Sequence, residues 1–133
     1  MVTIYARSRV ALEQSKDALG KVGQDDAYLD MSCFLAQQAI EFLMKAILLE
    51  FGVAYDKTHD IFELLELLRS VKFHFDQEES LELLAATITD WEESSRYGRG
   101  IRTSVQTVQR VHNIYKCMND EFLLKAERNN GKE

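Results

Sequence analysis

The chain has 133 residues, no proline, six glycines and a formal net charge of −6. That length fits one domain able to bury a core of its own, and the acidic balance argues against a general nucleic-acid binder, which is basic overall or along one face. Two cysteines, Cys33 and Cys117, make neither a disulfide scaffold nor a CxxC zinc site.

Without proline and with few glycines, the chain has room for long helices and few tight turns. The first helix is expected over Thr3 to Leu19, with Ile4, Ala11, Leu12, Ala18 and Leu19 as its apolar residues and Gly20 and Gly23 beyond its end. Arg7 and Arg9 interrupt any apolar stretch at the start, so no signal peptide is expected. The second helix is expected over Asp25 to Phe51, capped by Asp25 or Asp26 and ended by Gly52. Its apolar residues wrap around more than one face, which places it at the centre of a bundle, with Cys33 as a small core residue. No run reaches the roughly 20 apolar residues of a membrane span. A cytoplasmic setting, with no membrane contact, is the expectation.

The third helix is expected over Thr58 to Val71, with Thr58 or Asp60 as cap, Glu63 completing a capping box, and a buried stripe of Ile61, Leu64, Leu65 and Leu68. The fourth is expected over Glu78 to Arg96 after an Asp76/Glu79 capping pattern, and the fifth over Thr103 to Glu127 after a Thr103/Gln106 pattern. Residues 129–133 read as a polar tail after a bundle spanning 1–128. The fold class is therefore all-α, a single up-and-down helical bundle of four to five helices.

Charge is uneven along the second half. Seven acidic and no basic residues lie from Asp76 to Glu93, whereas five basic and no acidic residues lie from Arg96 to Lys116. A hairpin of the fourth and fifth helices would set an acidic rod beside a basic one. It would explain the stretch SSRYGRGIR (residues 94–102) without a ligand. The alternative is an anion site: Gly98 and Gly100 allow close backbone approach, a helix start follows, and Arg96, Arg99 and Arg102 offer guanidinium forks beside a stackable Tyr97. Arg102, Gln106 and Arg110 would then share one helix face.

Two further features bear on function. Gln37, Glu41 and Lys45 are four apart in an otherwise apolar helix, with Gln38 beside them. They form either a solvated stripe with one ion pair or a buried polar network able to hold a base and a phosphate. His59 sits at a helix start, either as a residue near the cap or as an acceptor or base. His59, His74 and His112 are far apart and no helix carries a histidine pair at i,i+4, so no metal site and no cofactor are expected.

Around CFLAQQAIEFLMKAIL (residues 33–48) the chain resembles the HEPN domain family. The resemblance rests on Asp30, Cys33-Phe34, Gln37-Gln38-Ala39, Glu41 and Lys45-Ala46, then Gly52, then Thr58-His59-Asp60-Ile61 with Leu64-Leu65, then Arg96-Tyr97. It covers about Tyr5 to Phe122 and implies a self-associating helical bundle, so a homodimer is expected. It also implies a nucleotide- or RNA-binding role and a minimal nucleotidyltransferase as toxin–antitoxin partner. Gln38, Glu41, Lys45, His59, Arg96, Tyr97, Arg99 and Arg102 are the ligand-binding candidates, Arg99 and Arg102 from the anion-site reading of this chain and not from the resemblance.

Other branches of the family are metal-independent RNases, with an arginine, four to six residues and a histidine near the start of a late helix. Here that histidine is His112, and the residues five, six and seven positions before it are Thr107, Gln106 and Val105. Arg69 and His74 have the spacing but fall at the end of the third helix. The alternatives carried forward are an RNase with a degenerate motif, in which Arg96 or Arg102 supplies the cation and His112 or His59 the base, and a protein–protein interaction module.

Overall fold

Among the described residues of the computed structural model, 3–55, 57–96, 98 and 100–130, five helices form and no strand does. They are α1 (Ile4–Leu19), α2 (Ala27–Glu50), α3 (Ile61–Ser70), α4 (Glu78–Arg96) and α5 (Val105–Asn130). Only the backbone is described at 96, 129 and 130. The all-α bundle expected from the sequence is the observed architecture.

α2 is the central helix and packs against each of the other four. Cys33, Ala36, Ile40, Leu43, Met44 and Ile47 on α2 meet Leu64 and Leu68 of α3, Trp91 of α4 and Met118 of α5 in one core cluster. By length and composition α2 could cross a membrane, yet 72% of its most apolar window is buried against its neighbours. Burial pushes the Cys33 thiol up to about 12, with Asp30 adding to the shift, so it stays a protonated core residue.

α1 joins this core through the expected Ala11 and Ala18, with Leu12 and Leu19 packed at its edge, and through two serines that were not expected. Its buried residues are Ser8, Ala11, Ser15 and Ala18, a stripe of small side chains that lets α1 lie close along α2. The hydroxyls are satisfied across the seam. Ser15 donates to the Ser32 carbonyl at 2.7 Å, Ser32 donates back to the Ser15 carbonyl at 2.8 Å, and Ser8 bonds Tyr115 of α5 at 2.6 Å.

The caps refine the expected boundaries. Thr3 caps α1, and the Asp25 carboxylate accepts from the Ala27 amide, so α2 starts at Ala27. α3 starts at Ile61 because Asp60 is its extended N-cap, accepting from the Phe62 and Glu63 amides, while the Ile61 amide donates to Thr89 of α4. The capping box is closed through an intermediary: the Asp60 amide donates to the Thr58 hydroxyl, which donates to Glu63. α5 is capped by Ser104, not Thr103, with the Thr107 amide donating to its hydroxyl. Before α4 the backbone turns at Gln77, with φ 74, and the Gln77 amide oxygen accepts from Ser80. α2 and α3 end alike, in 6→1 and 5→2 bonds around a left-handed residue, Gly52 (φ 69) in one case and Lys72 (φ 60) in the other.

Candidate functional site

The polar residues of α2 are buried. Glu41 and Lys45 side chains are 5% and 9% exposed, and their ion pair closes at 3.0 Å. The Glu41 carboxylate also accepts from the Gln37 amide at 2.7 Å, and His59 Nδ1 lies 3.0 and 3.1 Å from its two oxygens. The solvated-stripe reading of Gln37, Glu41 and Lys45 is thus corrected to the buried network. One helix sets three of these groups on one face at four-residue spacing, and the α2–α3 connection brings the fourth over them.

The Lys45 ammonium also lies over the Tyr55 ring, 5.3 Å from its centroid. His59 is the solvent-facing end of the cluster, with a side chain 52% exposed. At the other end, Gln37 Oε1 is buried with no hydrogen-bond partner among the described residues. Such orphaned acceptors are scarce in folded proteins. The cluster is therefore a carboxylate held by three donors, with one acceptor unused and one imidazole at the surface.

The remaining candidates do not gather here. Gln38 faces the other way, lining an apolar groove between α1 and α2 with Val10, Leu35 and Phe42. Tyr97 and Arg99 lie outside the described residues, as does the Arg96 side chain. Arg102 is exposed and precedes α5 instead of starting it, so it does not share a helix face with Arg110. It lines a groove along α4 with Asp90, Trp91 and Ser94.

His112 is a core residue. Ser15 spends its one proton on the Ser32 carbonyl, so His112 Nε2, 2.8 Å from the Ser15 oxygen, carries hydrogen and donates. Burial, reinforced by Lys16, lowers its pKa to about 4. It is a neutral donor inside the bundle, its Nε2 engaged by Ser15.

The pair with RNase spacing does converge, but on a carboxylate. Arg69 donates to Glu78 at 2.8 Å, and His74 Nδ1 lies 3.0 Å from the other oxygen of Glu78. Arg69 also bonds Glu66 and Glu82, so one guanidinium serves three carboxylates and its pKa is raised by them, Glu82 foremost. Burial opposes ionisation of Glu78, but the bonds from Arg69 and His74 outweigh it and hold the carboxyl below its usual range. Glu78 and Glu82 of acidic α4 thus pair with α3.

Tyr55 and Ser15 were not singled out in the sequence. Nothing in the spacing of Tyr55 marks it, whereas the small-residue period of Ser8, Ala11, Ser15 and Ala18 was a readable signal. Among the described residues no group of three or more metal-ligating side chains occurs.

An all-α bundle whose central helix carries a buried Gln–Glu–Lys network under a histidine defines a helical-domain class with a polar site at the α2–α3 connection. A model of the HEPN domain matches residues 6–127, and the chain belongs to the HEPN domain family. Comparisons with curated proteins and with solved structures gave no match.

Proposed function

We propose that this HEPN-domain protein is a non-catalytic binding module that takes a nucleotide or RNA at the Glu41–His59 cluster. The observation that carries the reading is the orphaned Gln37 Oε1 in a network whose other buried polar side-chain atoms are engaged; Gln37 is 1% exposed, so its cover must open for ligand. A base edge offering an N–H there would satisfy the acceptor, and His59 at the mouth, half exposed, suits a phosphate or ribose oxygen. Membership of the HEPN family supports a nucleotide- or RNA-related ligand. Self-association and a nucleotidyltransferase partner in a toxin–antitoxin setting belong to the same reading and rest on the family alone.

Two geometric facts disfavour the RNase alternative. His112 Nε2 donates to Ser15, and Arg69, of the pair with RNase spacing, is surrounded by carboxylates that repel a phosphodiester. The test is calorimetric titration with ATP, GTP and a short single-stranded RNA. Binding that falls about tenfold or more in Gln37→Leu supports the reading, in line with the loss of one buried hydrogen bond to a ligand. Absent heat, or an affinity that Gln37→Leu and His59→Ala both leave unchanged, refutes it.

A further inference from the structure

The outer flank of the α1–α2 pair is uncovered. On α2, Met31, Leu35, Gln38, Phe42 and Leu49 fall on one stripe by helical spacing, and the one charge at that spacing, Lys45, is buried against Glu41. Met31 and Leu49 are 53% and 56% exposed. Beside them Val10 of α1, 50% exposed, walls an apolar groove of about 450 Å³ with Leu35 and Phe42. Apolar residues scattered on a surface need no cover, whereas a stripe about 27 Å long on the central helix calls for one.

α1 carries charge along the same flank. Arg7, Val10, Gln14 and Asp17 recur at i, i+3, i+7 and i+10, which keeps them on one helix face, and all four are exposed. The side chains of Arg7 and Asp17 have no ion pair or hydrogen bond among the described residues. Asp17 also sits in the last turn of α1, where the helix dipole disfavours a carboxylate. The other cations of α1 turn toward α5: Arg9 lies over Tyr5, which bonds Asn119, and Lys16 acts on His112. Glu13 is exposed at the outer edge of the stripe.

We infer that a second copy of this chain packs on this flank, antiparallel, about a two-fold axis level with Leu12. Positions 7 and 17 are equidistant from 12, as are 10 and 14. The two-fold therefore sets Arg7 of each copy opposite Asp17 of the other and Val10 opposite Gln14, and the apolar stripes of α2 close over the groove. Such a contact is isologous and closes on itself. The charge pattern selects this occupant. A surface of one sign, whether nucleic acid, anionic lipid or a cationic segment, suits one end of the stripe and is repelled at the other, but a copy turned end for end suits both. Val10, Met31 and Phe42 supply contact area, and the two ion pairs fix register. Self-association enters the proposed function from the family; its face rests on residues of this chain that lie outside the network around Glu41.

Sedimentation velocity on the full chain, without nucleotide, reads this pairing alone, so its failure is distinct from failure of the calorimetric titration. Arg7→Glu and Asp17→Lys each set like charges face to face at both ends of the two-fold. Arg7→Glu combined with Asp17→Lys exchanges the charges and restores both pairs. Circular dichroism checks that the helices are kept. The expected result is a dimer whose dissociation constant rises about tenfold in each single variant and returns to within about threefold of wild type in the exchanged one. Val10→Glu, which places a carboxylate in the apolar groove, leaves a monomer. The inference is overturned by a chain that is monomeric at about 100 μM, by a dimer indifferent to the single charge changes or to Val10→Glu, or by an exchanged variant as weak as the single ones.

Discussion

Replacing Glu41 by glutamine keeps the shape of the side chain and removes its charge. Lys45, 9% exposed, then retains a buried ammonium 3.0 Å from a neutral amide. At an effective dielectric of about 20, unit charges that far apart attract by about 5 kcal/mol. Desolvation of both ions offsets most of that in the intact pair. Loss of one partner leaves the desolvation of the other uncompensated, at a cost of about 3–5 kcal/mol. With a urea m-value of about 2 kcal/mol/M, the unfolding midpoint falls by about 1.5–2.5 M. Glu41→Gln with Lys45→Met removes the stranded charge and regains much of the loss. Urea unfolding followed by circular dichroism, completed as a double-mutant cycle, measures both. A single-variant loss under about 1 kcal/mol, or strict additivity, refutes the claim that the network is buried and coupled.

Other expectations follow from the same structure. His112 is neutral when folded, its pKa lowered from 6.5 to about 4, so the unfolded chain takes up a proton that the folded chain refuses as pH falls through that window. Its contribution is present above the higher value and is lost on acidification, by about 3 kcal/mol at most; His112→Gln removes this part of the pH dependence of urea unfolding. Lys72 holds a left-handed φ of 60, where an L-residue is strained, so Lys72→Gly raises stability by about 1 kcal/mol and Gly52→Ala, at φ 69, lowers it by a similar amount in thermal unfolding. Arg69→Met strands three carboxylates, one of them mostly buried, and costs about 1–2 kcal/mol by chemical denaturation. RNA incubated with the protein without metal remains intact on a denaturing gel, and cleavage sensitive to His112→Ala would restore the RNase reading.

Much of the fold was legible because helical period, caps and the missing proline all point one way. α4 begins and ends where the spacing places it, at Glu78 and Arg96. Misplaced starts came from contacts that local patterns do not encode. The Ile61 amide is held by Thr89, 28 residues on, which fixes the start of α3. At α1 the small-residue period was readable, but the burial of Ser8 and Ser15 depends on partners on α2 and α5 that satisfy their hydroxyls. The four-residue spacing of Gln37, Glu41 and Lys45 put them on one face, but only the α2–α3 connection decides that the face is covered and that His59 covers it. The side of the helix toward which Gln38 turns was equally hidden, since adjacent positions differ by about 100° around the axis.

The central claim is that ligand reaches the orphaned acceptor of Gln37. Its most direct test is a nitrogen–proton correlation spectrum of the labelled protein during titration with ATP and with a short RNA. The account predicts that the Gln37 side-chain amide resonances and the backbone amides near Glu41 and His59 shift together and saturably. Shifts confined to the Arg102 groove, or no shifts at all, would contradict it.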